Sequence, residues 1–241
     1  RTALEFARRA GGTGAFAAIG RCFEGDGLPA HYPWMMCVRG YVEEWGATAL
    51  AKTAGVHAIH LARFLPESGL PARAAREAPG GDPSNLPYRL FDAMAAFLKR
   101  LCAERPSVIV LDNLHLADPS SLAFLEFLAP ELSAIQLLIV GTYRDTDVRR
   151  GHPLSTVLGA LAKEQVFERI HLGGFTAPEV AALAREALGR DLPRELIATI
   201  HERTDGNPLF VTEVMRLQDE HLRAYGEAAA DFPLPEGIRE A

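Results

Sequence analysis

The sequence predicts an α/β fold built on a parallel β-sheet, and two observations carry this prediction. The run Val108 to Leu111 is apolar, rich in β-branched residues and too short for a helix, which suits a strand buried on both faces. Strand-like and helix-like segments alternate up to residue 172, and only helix-like segments follow. This order predicts a three-layer α/β domain with a small helical subdomain behind it.

The composition suits a globular protein with a core of its own. The 241 residues are 48% hydrophobic and 23% charged, and the formal net charge of −6 argues against broad binding of nucleic acid. Cys22, Cys37 and Cys102 show no metal-ligand spacing, which suggests reduced thiols. No apolar run reaches the roughly 20 residues of a membrane span, and no signal peptide is evident. We therefore expect a cytoplasmic protein without membrane contact.

The first half of the chain contains one strand signal among several helix signals. Helical periodicity covers the opening residues, and Ala15 to Phe23 predicts a strand. A helix is expected over residues 34–45, after Pro33, which suits the first turn of a helix, and two shorter helices are expected over residues 48–65. Residues 66–87 hold five prolines and three glycines and therefore predict an irregular loop. An amphipathic helix is expected over residues 88–103, directly before the central strand.

Two more strands are expected after the central one, at residues 136–141 and 166–172. Asp118 and Pro119 are typical of a helix start, with the aspartate as the N-cap and the proline in the first turn. A further helix is expected to begin at Pro153. These segments complete the α/β part of the predicted fold.

The remaining residues carry helix signals alone. Thr176 and Glu179 have the spacing of a capping box, which predicts a helix start. Helices are also expected over residues 193–203 and 209–225. We therefore expect a helical subdomain over residues 175–232, with residues 233–241 beginning a linker or a further domain.

Asp112 and Asn113 follow the central strand, at the edge where parallel sheets bind ligands. A desolvated carboxylate is costly unless it is paired or lies on a metal. One interpretation is a Walker B element, in which Asp112 reaches Mg²⁺ through water in a nucleotide triphosphatase. The other is a strand whose last residues begin a turn, because Asp and Asn are common turn residues.

Four segments resemble the motifs of one ATPase family in their order along the chain. They are Gly20-Arg-Cys-Phe-Glu24, the segment from Leu111 to Ser121, Gly141-Thr-Tyr-Arg144, and Asp205-Gly-Asn-Pro-Leu-Phe210. Together they resemble the AAA-like ATPase module of the STAND class (signal-transduction NTPases with numerous domains). The branch they resemble occurs in LuxR-type transcriptional regulators and multidomain cyclases.

The resemblance implies a P-loop NTPase-type parallel sheet of strand order 5-1-4-3-2 with a C-terminal helical lid. The nucleotide-binding domain would span residues 1–174, and the lid residues 175–232. Strands two to five would be residues 15–23, 107–111, 136–141 and 166–172. Strand one would be absent, so strands four and five should be parallel without bonding to each other.

The phosphate-binding loop of that family, Gly-x-x-x-x-Gly-Lys-Thr, does not occur in these residues. The glycine-rich turn Gly11-Gly-Thr-Gly14 lacks the lysine. We therefore expect the loop and strand one to precede Arg1, and we expect the fragment alone to be inactive.

The resemblance also implies roles for the residues after the central strand. Asp112 takes the magnesium position and thereby a catalytic role. Asn113 stands where relatives often carry a second acid. Because an amide cannot accept a proton from the attacking water, hydrolysis is expected to be slow.

Two further segments would contact the nucleotide. Arg144 matches a sensor position that faces the terminal phosphate, and its alternative is a surface pair with Asp145 or Asp147. Thr142 is a weaker candidate for a polar contact to phosphate or water. Pro208 resembles the lid proline that lies against adenine, and its alternative is a proline in the first turn of a helix.

The implied function is an ATP-binding and ATP-hydrolysing regulatory switch of a multidomain signalling or transcription-regulating protein, with ATP and Mg²⁺ as cofactors. Its partners would be other domains of the same chain, such as a DNA-binding helix-turn-helix or a cyclase, and self-association that depends on nucleotide. The alternative is a degenerate ATPase module that serves as a non-enzymatic scaffold for protein contacts. Asn113 favours the scaffold, whereas Asp112, Arg144 and Pro208 count against it.

Overall fold

The computed structural model divides the chain into two compact units, residues 1–168 and 169–241, which are described one at a time. The loop predicted at residues 66–87 lies almost wholly outside the described residues, and so do residues 233–241. The structure describes residues 2–25, 27–65, 86–164 and 167–225.

The first unit is built on a three-stranded parallel sheet. Its strands are β1 (Phe16–Arg21), β2 (Ser107–Asp112) and β3 (Leu137–Gly141), and they lie in the order β1-β2-β3. Ile109 and Val110 of the central strand have no exposed surface, as expected of a strand covered on both faces. The α/β class and three of the predicted strands are therefore confirmed, and the full order 5-1-4-3-2 stays a prediction.

The strand expected at residues 166–172 is wrong for the part that the structure describes, residues 167–172, which have no strand structure. Ile170 and Leu172 are 75% and 74% exposed. A strand needs a neighbour for its ladder of hydrogen bonds, and β3 pairs with β2 alone among the described strands. The apolar pattern of this segment was therefore not enough to predict a strand.

Helices surround the sheet close to their predicted positions. The longest is interrupted at Gly46, whose φ of 81° and ψ of 165° are not helical. This break lies between the helix expected over residues 34–45 and the two shorter helices expected over residues 48–65. The helices of this unit are α1 (Thr2–Gly12), α2 (Tyr32–Ala54), α3 (Ala58–Phe64), α4 (Leu86–Glu104), α5 (Pro119–Leu128) and α6 (Pro153–Lys163).

Aromatic side chains join the helices in the core of the first unit. The ring of Trp34 on α2 meets Phe124 on α5 edge to face, with 4.8 Å between the ring centroids. The Trp34 indole N–H also donates to the carbonyl of Ser121 at 3.1 Å, which satisfies its buried polar atom. Trp34 and Phe124 are 1% and 0% exposed, so this contact belongs to the innermost core.

Asp118 is the N-cap of α5, as predicted. Its Oδ1 accepts a hydrogen bond from the Ser121 amide at 3.0 Å, and Pro119 occupies the first turn. The same oxygen lies 3.4 Å from the amide nitrogen of His31, at the start of α2. One carboxylate therefore connects the starts of two helices.

Gly20 allows the start of α2 to lie directly against β1. A Cβ atom at this position would be only 2.2 Å from the carbonyl oxygen of Pro33. Any larger residue would therefore push the helix away from the strand.

The second unit contains α7 (Ala177–Leu188), α8 (Arg194–Thr204) and α9 (Pro208–Tyr225). The predicted capping box is present, because Glu179 accepts from the Thr176 amide at 2.8 Å. The domain limits and the lid assignment stay predictions. The three helices of the second unit share a core of Val180, Ala184, Ile200, Val211 and Val214.

In the described residues, no helix has both the length and the apolar character of a membrane span.

Candidate functional site

Three parallel strands end side by side and bring polar side chains to one edge of the sheet. Arg21 and Asp112 are partners at the last position of the β1–β2 ladder, and Leu111 pairs with Gly141 of β3. Thr142 follows Gly141 directly. The carboxyl edge therefore presents an arginine, an aspartate and a threonine in a row, where open parallel sheets bind ligands.

Thr142 orients the carboxylate of Asp112. Its hydroxyl donates to Asp112 Oδ1 at 2.7 Å and accepts from the Asn113 amide at 3.0 Å. The Asp112 side chain is 24% exposed, so it remains accessible from solvent. The structure thus brings the predicted residues Asp112, Asn113 and Thr142 into one hydrogen-bonded group.

Backbone hydrogen bonds hold the same strand ends together. The Thr142 amide donates to the Leu111 carbonyl at 3.0 Å, and the Leu114 amide donates to the Thr142 carbonyl at 2.7 Å. The side-chain contact of Thr142 therefore rests on a fixed backbone, so its geometry does not depend on a flexible loop.

Asn113 has a left-handed backbone conformation, with φ of 61° and ψ of 47°. Asn is among the few non-glycine residues that adopt this region readily. The residue leads into a 3-10 turn, Leu114–Leu116. The backbone therefore gives a structural reason for an asparagine after the strand, separate from any chemical role of its amide.

Arg21 is a site residue that the sequence analysis missed. Its Nε lies 3.3 Å from Asp112 Oδ2, and its side chain is 45% exposed. The available signal was its position near the end of the strand predicted over residues 15–23, which the expected strand order places next to the strand before Asp112. Only the pairing of β1 with β2 places the two residues side by side.

The predicted sensor residue Arg144 is exposed on the segment after β3. Asp147, one of its two alternative partners, lies instead beside His115, with 3.4 Å between His115 Nε2 and Asp147 Oδ2. The sensor role of Arg144 stays a prediction.

Pro208 begins α9 of the second unit, which agrees with its alternative as a helix-start proline. The preceding Asn207 accepts from the Leu209 amide at 3.0 Å through its side-chain oxygen. Pro208 can be both a helix-start proline and the lid proline that the resemblance implies, and its contact with adenine stays a prediction.

The donor set at the sheet edge fits Mg²⁺ that arrives with a nucleotide. Asp112 offers a carboxylate, which is a hard oxygen donor, and the Thr142 hydroxyl orients that carboxylate from the neighbouring strand. The described residues contain no cluster of three or more His, Cys, Asp or Glu that could hold a metal. Mg²⁺ commonly binds through one or two carboxylates, with water and phosphate oxygens completing its coordination, so one carboxylate suffices.

Comparisons with known proteins agree with this geometry. The family model described as AAA ATPase domain matches residues 1–140, which include β1, Asp112 and Asn113. A second model, described as a domain of unknown function, matches residues 176–222. No curated protein and no solved structure matches the chain. The first match covers more than half of the chain, and it ends before Thr142 and Arg144.

Proposed function

The chain belongs to the AAA ATPase domain family, and from this premise we propose that it is an ATP-dependent regulatory switch with magnesium held at Asp112. Membership makes the chain a nucleotide-binding ATPase module. The role as a switch is the part that we add. Mg²⁺ and other domains of the same protein are the partners that this function requires.

One observation carries the proposal, which is the contact between Asp112 and Thr142 on neighbouring strands. The 2.7 Å hydrogen bond occupies Oδ1 and leaves the carboxylate in a defined orientation at the ligand-binding edge. A carboxylate that served only to begin a turn would need no partner on the adjacent strand. This supports the Walker B interpretation over the turn interpretation.

The residues present can orient a metal but provide little base catalysis. ATP with Mg²⁺ supplies an activated phosphoryl group whose charge the metal offsets. Asp112 would hold the metal-bound water, and Thr142 would keep the carboxylate from rotating. Asn113 cannot take a proton from an attacking water, so turnover should be slow. Slow turnover suits a protein that must stay in its ATP-bound form while it signals.

A switch also requires a residue that responds to the loss of the terminal phosphate. Arg144 is the proposed contact to that phosphate, because a guanidinium forms strong charge-assisted bonds with phosphate oxygens. Pro208 is the proposed contact to adenine. A nucleotide moves the equilibrium only if its affinity differs between the two states, so ATP and ADP should stabilise different states.

Binding of a fluorescent ATP analogue tests the proposal, on the protein expressed from its complete open reading frame. We expect Mg²⁺ to strengthen binding, and we expect Asp112→Asn to abolish that response while weaker metal-free binding remains. Asp92→Asn is the matched control, because it neutralises an exposed carboxylate on α4 of the same unit. Binding without any response to Mg²⁺ would contradict the proposed role of Asp112.

The non-enzymatic scaffold remains the competing function. It predicts no binding of ATP by the unmodified protein, with or without Mg²⁺. The cytoplasmic location, self-association that depends on nucleotide, and the helix-turn-helix or cyclase output belong to the same proposal and depend on the same result.

A further inference from the structure

The guanidinium of Arg21 lies beside the carboxylate that we propose for magnesium. Arg21 Nε is 3.3 Å from Asp112 Oδ2, and the two side chains are 45% and 24% exposed. They are partners at the last position of the β1–β2 ladder. Among the described residues, the Arg21 guanidinium has no other ion-pair or hydrogen-bond partner. One carboxylate oxygen therefore already faces a positive charge.

The backbone under this pair is fixed on both sides. The Cys22 amide donates to the Asp112 carbonyl at 2.9 Å, immediately after the paired residues. On the other side, Gly20 lies so close to Pro33 that a Cβ there would be 2.2 Å from the Pro33 oxygen. The base of the Arg21 side chain is thus held in place, while its half-exposed end is able to move.

The two oxygens of Asp112 have different partners. Oδ1 accepts the Thr142 hydroxyl at 2.7 Å, and Oδ2 faces Arg21. A magnesium ion, or the water that it carries, would need lone pairs on the same carboxylate. A guanidinium and a divalent cation within about 4 Å of each other repel, and the repulsion is stronger near a protein than in bulk water. Arg21 and the metal would therefore compete for Oδ2.

We infer that Arg21 is a positioning residue that holds Asp112 in the metal-free protein and leaves its carboxylate when magnesium binds with nucleotide. This inference rests on the proposed function. Arg21 keeps the carboxylate paired before the metal arrives, and in doing so it raises the magnesium concentration that the protein needs. Exposed ion pairs are weak, so the competition should adjust the requirement for magnesium without blocking the site.

A magnesium titration at saturating ATP analogue tests the inference on the protein expressed from its complete open reading frame. In Arg21→Gln, we expect the half-saturating magnesium concentration to fall by about two- to fivefold, the range that an exposed ion pair allows. Arg21→Lys keeps the positive charge and should stay near the unmodified protein. Arg8→Gln is the control, because it removes an exposed arginine that pairs with Glu5 on α1 at 2.7 Å.

Two results would overturn the inference while leaving the proposed function intact. One is an unchanged magnesium midpoint in Arg21→Gln. The other is an equal loss of analogue affinity with and without magnesium, which would assign Arg21 to a phosphate. Failure of the unmodified protein to bind the analogue would instead overturn the proposed function. Circular dichroism checks folding, and Arg21→Met replaces Arg21→Gln if the latter does not fold.

Discussion

The hydroxyl of Thr142 lies 2.7 Å from Oδ1 of Asp112, across the boundary between the β2 and β3 strands. The Thr142 hydroxyl also accepts a hydrogen bond from the Asn113 amide, so one side chain contacts both Asp112 and Asn113 at the end of the central strand. The orientation of the candidate metal ligand therefore depends on a residue of a different strand, 30 positions away in the chain.

Replacement of Thr142 should weaken magnesium-dependent binding without changing any metal ligand. Thr142→Val keeps the shape but removes the hydroxyl, and loss of such an outer-shell partner typically lowers metal affinity by about 10- to 100-fold. Thr142→Ser should retain most of the affinity, because it keeps the hydroxyl. A magnesium titration of analogue binding measures both variants. Equal midpoints in the two would show that the hydroxyl does not act on Asp112.

Gly20→Ala should destabilise the first unit. The new Cβ would be 2.2 Å from the Pro33 carbonyl, which is backbone and cannot rotate away. Overpacking of this kind costs about 1–3 kcal/mol. Urea denaturation of the expressed protein measures the change in the free energy of unfolding.

Gly40→Ala provides the matched control for that experiment. A Cβ at Gly40, within α2, would have no atom within 4 Å. Because alanine is the better helix former, this change should be neutral or stabilising by up to about 1 kcal/mol. Similar losses in both variants would contradict the close approach of α2 to β1.

Asp118→Ala should also lower stability, through the start of α5. The variant loses the acceptor of the Ser121 amide, and removal of an N-cap costs about 0.5–2 kcal/mol. Asp118→Ser should recover most of the loss, since serine is a comparable N-cap. Thermal or urea denaturation compares the two variants. A serine variant as unstable as the alanine variant would indicate that the contact near His31 matters more than the cap.

The thiol of Cys37 should be inert in the folded protein at alkaline pH. Burial raises its pKa from 9.0 to about 12. At pH 9 roughly one thiol in a thousand is then ionised in the folded state, against about half in the unfolded state. Its reaction with a disulfide reagent should therefore follow unfolding. Rapid modification in native buffer at a rate independent of urea would contradict this burial.

The raised pKa of Cys37 also determines how the free energy of unfolding changes with pH. Between pH 9.0 and about 12 the folded protein binds more protons at this site than the unfolded chain. The free energy of unfolding must therefore fall as the pH rises through this window. Cys37→Ala should flatten that dependence on pH, which urea denaturation across the window measures.

Local signals predicted most elements of this fold. The buried β2 strand, the Asp118 cap and the capping box of Thr176 each depend on residues close together in the sequence, and all three are confirmed. The break of α2 at Gly46 agrees with the separate helices expected over residues 34–45 and from residue 48 onward, and it depends on a positive φ that glycine permits.

Features that depend on distant residues were predicted less well. The segment at residues 167–172 has strand-like composition, yet a strand also requires a neighbour in the right place. Arg21 was overlooked because its importance arises from pairing with β2. Asp112 was identified from its place after a buried strand and Thr142 through a family resemblance, and their direct contact became visible only in the folded sheet.

The connection from α2 to α5 has a consequence for the order in which the protein folds. Asp118 and its contact at His31 are separated by 87 positions, whereas Asp112 and Thr142 are separated by 30. Closing the longer loop costs roughly 1 kcal/mol more chain entropy. The β2–β3 half should therefore assemble earlier than the half that contains β1. During folding, Asp112 would therefore contact Thr142 before it contacts Arg21.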